Sequence, residues 1–302
     1  MQAHVADDHQ RVFTILSIAI TAALGGFLFG YDTAVINGAV SSIEATFQTS
    51  ASMLGLTVSS ALLGSAAGAL VAGWLADRFG RRPSMLLAAV MFLLSAVGSA
   101  LAPRLVDLVI WRVVGGVAVG FASVLAPAYI AEVSPAAMRG RTGSLQQLAI
   151  VLGIFISLLF NYLIVLATSD QEPTSLVGPM AAWRWMLMAE VVPALLYGLL
   201  VLRIPESPRY LVRVGRLDQA RAVIRRTIGE STQEVIDRIQ ASQGRRGRGS
   251  LRDLISRRSG LLPIVWTGVL LATFQQLVGI NVIFYYSSEL WQSVGFSTTD
   301  SF

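Results

Sequence analysis

Apolar runs dominate the chain and recur, between short polar breaks, at the length a lipid bilayer dictates. About 20 consecutive apolar residues carry a helix across the hydrocarbon core, and such stretches lie near 12–40, 54–76, 84–102, 105–128, 143–166, 183–203 and 261–290. Seven spanning helices are therefore predicted, the first six joined by short connections. A longer polar stretch, 204–260, separates the sixth from the seventh. Within it DQARAVIRRTI (218–228) and STQEVIDRIQ (231–240) space their apolar residues as helices do. Ser231 and Glu234 have capping-box spacing, in which each side chain satisfies the other's backbone N–H. Short amphipathic helices under the membrane region are expected, followed by a Gly/Arg hinge, QGRRGRGS, at 243–250. The expected division is 1–203, a six-span unit; 204–260, a helical linker; and 261–302, one further span.

Composition agrees with this all-α integral membrane class. The chain is 54% hydrophobic and only 14% charged, where soluble domains hold about a quarter of charged residues. All 23 basic residues are arginines and the formal net charge is +5. They gather in the loops 77–82 and 139–141 and in 204–260, whereas 41–53 and 168–182 contain none. Short arginine-rich loops stay on the cytoplasmic side, so these loops and the N-terminus are placed there, in a multi-pass protein of the cell membrane. The positive charge is thus assigned to membrane flanks, with lipid as a neighbour and no nucleic-acid partner. The absence of cysteine excludes a disulfide framework, a thiolate nucleophile and a cysteine metal site. The opening MQAHVADDHQ lacks a basic n-region, so no signal peptide is predicted. His4 and His9 are read as part of a polar tail, and no metal or other cofactor is predicted.

Against that background a few polar residues inside the spans stand out. Asp32 is the one carboxylate of the first apolar run, and a charge at membrane depth costs about 3 kcal/mol by insertion scales. Span 1 runs outward and span 4 inward. Asp32 lies eight residues before Val40 and Arg112 eight after Arg104, each roughly 12 Å from its outer end at helical rise. Glu190 falls at a similar depth in the sixth span. Three ionisable groups in one slab fit a proton relay, the proton being the only coupling ion required; they equally fit a static ion pair that fixes helix register.

The seventh span holds TFQQLVGINVIFYYSSELW, 273–291. Gln275, Gln276 and Asn281 are amides near the centre of a span, costly unless they meet a polar ligand or one another, and Gly279 lets the helix unwind beside them. Uncharged amides next to Tyr285 and Tyr286 suit a neutral polyhydroxylated ligand, which needs paired donors and acceptors for its hydroxyls and an aromatic surface for its C–H faces. Gln147 in the fifth span is a further candidate amide, with Gln146 expected to face elsewhere, and Phe29, close to Asp32, joins Tyr285 as a candidate aromatic contact.

At the arginine-rich end, GWLADRFGRRP (73–83) brings Asp77, Arg78, Arg81 and Arg82 around Gly80. PAYIAEVSPAAMRGR (127–141) supplies Glu132 and, past a proline break, Arg139 and Arg141, a set able to latch onto Arg81 or Arg82. Positive-inside anchoring explains part of this charge as well. No GxSxG, Walker loop, HExxH or Cys/His cluster is present, so no enzyme chemistry is indicated.

These motifs together resemble the sugar porter family of the major facilitator superfamily, most of all its bacterial sugar–proton symporters. GYDTAVINGA, GWLADRFGRR, WRVVGGVAVG, PAYIAEVSPAAMRGR, PESPRYL and QQLVGIN appear in the family's order across nearly the whole chain. The resemblance implies two six-helix halves of 3+3 inverted repeats joined by an intracellular helical domain. It implies proton-coupled uptake of a pentose or hexose by alternating access. Asp32 matches the protonatable aspartate, Arg112 its partner and Glu190 the coupling glutamate; Gln147, Gln275, Gln276 and Asn281 match sugar-contacting amides. Asp77, Arg78, Arg81, Arg82, Glu132, Arg139, Arg141, Glu206 and Arg209 match the cytoplasmic charge network. The alternatives are an uncoupled sugar facilitator, which in this family tends to have asparagine in place of Asp32, and a transporter-like sugar sensor or non-transporting product. Helices 8 to 12 have no counterpart in these 302 residues, which cover about seven of twelve helices, and a fragment of a longer porter is the expectation.

Overall fold

A computed structural model describes residues 2–168, 174–228, 232–245, 255–256, 260–297 and 301. Among them are seven helices long and apolar enough to cross a membrane. Span 1 comprises α1 (Gln2–Val35), a 3-10 turn (Ile36–Ala39) and α2 (Val40–Phe47). Spans 2 to 5 are single helices, α3 (Ala51–Phe79), α4 (Arg81–Leu101), α5 (Leu105–Val133) and α6 (Arg139–Leu166). Span 6 is broken into α7 (Ala182–Met188) and α8 (Val191–Val201). Three short helices follow, α9 (Pro208–Arg213), α10 (Leu217–Thr227) and α11 (Thr232–Arg245), and then span 7, divided into α12 (Pro263–Leu277) and α13 (Ile280–Ser293).

The structure departs from the pattern-based boundaries where polarity and helicity part company. The first span was expected to end near Val40, at the first serines. Instead the 3-10 turn re-aims the chain and α2 continues to Phe47, burying Val40, Ser42 and Ile43 on one face while Glu44 stays exposed. A helix needs only one buried face, so polar residues on the other do not end it. The connection before span 6 is also more than a loop: β1 (Leu176–Val177) and β2 (Met180–Ala181) form a small antiparallel hairpin. A second, β3 (Ile255–Ser256) with β4 (Gly260–Leu261), precedes span 7. The side chains of His4 and His9, Ser231 of the capping pair, and the Gly/Arg hinge from 246 onward lie outside the described residues.

Helix association in lipid lacks a hydrophobic driving force and relies on close packing, and glycine supplies it at two crossings. A Cβ on Gly30 would sit 2.1 Å from the carbonyl oxygen of Ile150, and one on Gly153 2.1 Å from that of Phe27. Spans 1 and 5 thus touch backbone to backbone. Spans 2 and 4 do the same: a Cβ on Gly116 would lie 2.1 Å from Ala61 O and one on Gly64 2.4 Å from Val113 O. Exchanging spans 1–3 with 4–6 turns the first crossing into the second, as a 3+3 repeat requires.

Side chains fill the bundle as two apolar clusters. One, toward the arginine-rich end, includes Leu28, Met85, Phe92, Phe121, Tyr129 and Tyr197. The other, toward the opposite end, includes Tyr31, Ile43, Leu54, Leu108, Trp183 and Tyr285. A third cluster holds the linker helices to one another through Leu211, Ala220, Ile224 and Ile236.

Gly153→Ala is expected to force spans 1 and 5 apart and to destabilise the protein by about 1–3 kcal/mol. Gly73→Ala, where an added Cβ meets nothing within 4 Å, should leave stability unchanged. Thermal unfolding of the two variants in detergent measures the difference.

Candidate functional site

Between the two apolar clusters lies the buried charge. Asp32, one turn before the 3-10 break of span 1, accepts a 2.7 Å hydrogen bond from Arg112 Nη1 in the middle of α5. The two side chains are 4% and 2% exposed. Gly115, one turn along from Arg112, leaves room for Ser95 of α4 beside the pair, since a Cβ there would be 2.4 Å from Ser95 Oγ, whereas Asp32 Oδ1, 3.5 Å away, would be at ordinary contact distance. Glu190 stands at the break between α7 and α8, also buried, within electrostatic reach of both partners. Its Oε1, and Arg112 Nε and Nη2, make no hydrogen bond with any described residue. One guanidinium faces two acids, bonded to Asp32 and not to Glu190, in a slab from which lipid and packing exclude water. A single added proton neutralises that excess negative charge, and it lengthens the Asp32–Arg112 bond if it lands on Asp32.

Span 7 reaches this site with its outer half. Tyr285 of α13 is buried in the same cluster as Tyr31 and lies within electrostatic reach of Arg112 and Asp32. Asn37, in the 3-10 turn of span 1, holds α13 at two points: its Nδ2 donates to Ser287 Oγ and its Oδ1 accepts from Ser288 N at 3.1 Å. The pattern of the sequence did not single out Asn37. The available signal was an amide in the same apolar run as Asp32, the kind of residue that must find a partner.

The candidate amides cluster at the break in span 7. Gly279 adopts φ +79°, and across it Asn281 Nδ2 donates to Gln276 Oε1 at 2.7 Å. Gln275 and Gln276 are exposed, and α12 has no buried residue. In span 5 the neighbouring glutamines divide: Gln146 is buried against Gly26 of span 1, whereas Gln147 is exposed. Phe29 is half-buried against the cluster at the arginine-rich end.

The arginine-rich end forms a dense polar knot whose centre is Glu206. Its carboxylate accepts from the backbone N–H groups of Arg81 (2.9 Å), Arg82 (3.2 Å) and Ser207 (2.8 Å), so it caps the N-terminus of α4 from 125 residues away. Helix N-termini present unsatisfied donors and a partial positive charge, both answered by a carboxylate. Gly80 is required twice over: φ is +104°, and a Cβ would lie 2.4 Å from Glu206 Oε2. Arg81 bonds Ala76 O, Asp77 Oδ1 and Glu132 Oε1, each at 3.0 Å, while Arg82 donates to the carbonyls of Val201 and Leu202 at the end of span 6.

Three further residues complete the knot and were missed in the sequence: Arg213, 2.9 Å from Asp77; Ser207, which donates to Glu132 Oε2; and Tyr210, whose hydroxyl donates to Arg78 O. Ser-Pro at 207–208, a helix-start signature, was the available cue for Ser207. Arg209 lies with Glu132 and Arg139 around a crevice below span 4. The side chains of Arg139 and Arg141 are exposed and make no hydrogen bond or ion pair among the described residues, so the latch joins Glu132 to Arg81 without Arg139.

Burial lifts the Glu206 carboxyl above its ordinary value of 4.5, and its backbone hydrogen bonds and Arg81 only partly offset this. A raised folded-state value means that its contribution to stability is fullest below the ordinary value and declines as pH rises through the raised one. Glu206→Gln should therefore flatten the pH dependence of thermal stability above about pH 4.5, where the raised carboxyl loses its proton. Glu206→Ala, which leaves the α4 amides without an acceptor, should cost about 1–3 kcal/mol. Melting curves against pH test both.

Comparison with known proteins places this architecture. The model of the family described as "Sugar (and other) transporter" matches residues 18–302. A glucose transport protein of Synechocystis is 56% identical over 287 residues, covering 95% of this chain and 61% of the relative. The D-xylose-proton symporter of Escherichia coli is 39% identical over 311 residues, covering 94% of this chain and 62% of the relative. The arabinose-proton symporter of Bacillus subtilis is 38% identical over 299 residues, covering 99% and 63%. The solved structure of the proton:xylose symporter XylE bound to 6-bromo-6-deoxy-D-glucose superposes with a TM-score of 0.84 at 36% identity, over 96% of this chain and 65% of that one. A partially occluded inward-open form of XylE gives 0.80 at 37% identity, over 91% and 66%. The chain thus spans a little over three-fifths of the curated relatives it matches. The seven apolar spans among its described residues, the paired glycine crossings and the matched length identify it as a member of the sugar porter family of the major facilitator superfamily.

Proposed function

We propose that this chain belongs to a proton-coupled monosaccharide symporter of the cell membrane that works by alternating access, with its arginine-rich face in the cytoplasm. The observation that carries the reading is the buried trio, Asp32 bonded to Arg112 with Glu190 beside them, to which span 7 adds Tyr285 within electrostatic reach of the pair. Protonation of Asp32 removes the charge that holds Arg112, so span 1 loosens from span 4. Through Tyr285 and Asn37 the change reaches span 7, and with it the amides at the Gly279 break. The sugar is held by Gln147, Gln275, Gln276 and Asn281, with Phe29 and Tyr285 offering aromatic faces to its C–H surfaces. Relatives named for glucose, xylose and arabinose support a pentose or hexose as the substrate class.

The knot of Asp77, Arg78, Arg81, Arg82, Glu132, Glu206 and Arg209, flanked by Arg139 and Arg141, is the inner gate in this reading. Orientation follows from the arginine bias of the loops. Asp32→Asn in vesicles should abolish proton-driven accumulation of the sugar while leaving counterflow exchange in place, because asparagine keeps a hydrogen-bond acceptor for Arg112 but takes no proton. Undiminished pH-driven accumulation by this variant refutes the coupling.

A further inference from the structure

A second polar site lies away from the trio, at the edge of the membrane. A cleft of about 410 Å³ opens between the arginine-rich end of α1, the segment just after α8, and α10 of the linker. Ser17 and Thr21 come from α1, Arg203 from the end of span 6 and Arg226 from the last turn of α10, over a floor of Ile18 and Val223. No carboxylate lines it among the described residues. Neither guanidinium makes a hydrogen bond or ion pair with any described residue, in contrast to Arg81, Arg82, Arg112 and Arg184, which all have partners. Two unneutralised guanidiniums around one cleft attract an anion, and their planar donor forks match phosphate oxygens.

The surroundings specify what bears the phosphate. Beside the cleft, Phe13 and Ile20 of α1 and Leu199 and Leu202 at the end of span 6 are exposed, giving an apolar wall along which acyl chains run. Thr21 and Ser17 donate their own hydroxyl protons to backbone carbonyls at 2.8 Å, so their oxygens are left as acceptors. We propose that this cleft binds the headgroup of an anionic phospholipid, its phosphate between Arg203 and Arg226 and a headgroup hydroxyl on Ser17 or Thr21. A headgroup that carries an ammonium finds two like charges there and, among the described residues, no acid, so zwitterionic lipids are disfavoured. Basic pockets between spanning helices at the headgroup level serve this purpose elsewhere. Because the lining comes from spans 1 and 6 and from α10, a bound lipid fastens the linker helices to the membrane bundle.

The test is titration of the purified protein in non-ionic detergent with short-chain phosphatidylglycerol, followed by native mass spectrometry and thermal shift. One phosphatidylglycerol should bind and raise the melting temperature, and phosphatidylcholine of the same chain length should do neither. Arg203→Gln/Arg226→Gln should weaken binding about tenfold or more, whereas Arg225→Gln, one position outside the lining, should not. If the double variant fails to fold, Arg226→Gln alone and the charge-retaining Arg203→Lys/Arg226→Lys carry the comparison, the first losing affinity and the second keeping most of it. Equal binding of phosphatidylcholine, unchanged affinity in the glutamine variants, or full competition by millimolar inorganic phosphate would each overturn the lipid assignment.

Discussion

An aspartate and an arginine placed separately in hydrocarbon are each untenable, and much of this bundle is arranged so that Asp32 and Arg112 are never separate. Span 1 must meet span 4 at one height, and span 6 must break beside them so that Glu190 enters the same slab. Removing one member of such a pair typically costs about 3–5 kcal/mol, far more than most single contacts. The pair therefore sets register as firmly as any apolar cluster. It also concentrates electrostatic energy where one proton alters the balance.

The arginine-rich end solves a different problem with the same chemistry. Helix α4 begins without a capping side chain of its own, because its N-cap residue, Gly80, has none. Glu206, far along the chain, provides the acceptor, while Arg82 returns the favour to the carbonyls that end span 6. Each helix terminus is satisfied by a residue flanking the other. The two spans are joined by complementary ends as well as by an apolar face, on which Met85, Ala89 and Phe92 share one cluster with Ala194, Tyr197 and Val201.

The spans, their number and the slab holding Asp32, Arg112 and Glu190 were legible in the sequence because hydrophobic length and helical rise are one-dimensional quantities. Asn37, Ser207 and Arg213 were not legible, since each acts on a partner brought near only by tertiary packing: Ser287 and Ser288, Glu132, and Asp77. Polar continuation misled at the end of span 1, where α2 keeps its serines and Glu44 without ceasing to be a helix. Adjacent glutamines show the same limit. Nothing in the string QQ distinguishes Gln146, turned into the contact with span 1, from Gln147, turned away from it.

The long reach of Glu206 has a consequence for biosynthesis. A chain made from its N-terminus inserts α4 before residue 206 exists, and 125 residues separate donor from acceptor. At 5–20 residues per second that interval is on the order of ten seconds. Throughout it the first amides of α4 lack the acceptor that Glu206 provides. The arginine-rich end thus closes late and as a unit, when the ribosome has delivered span 6, and a nascent chain halted earlier lacks the clasp that marks six spans as assembled.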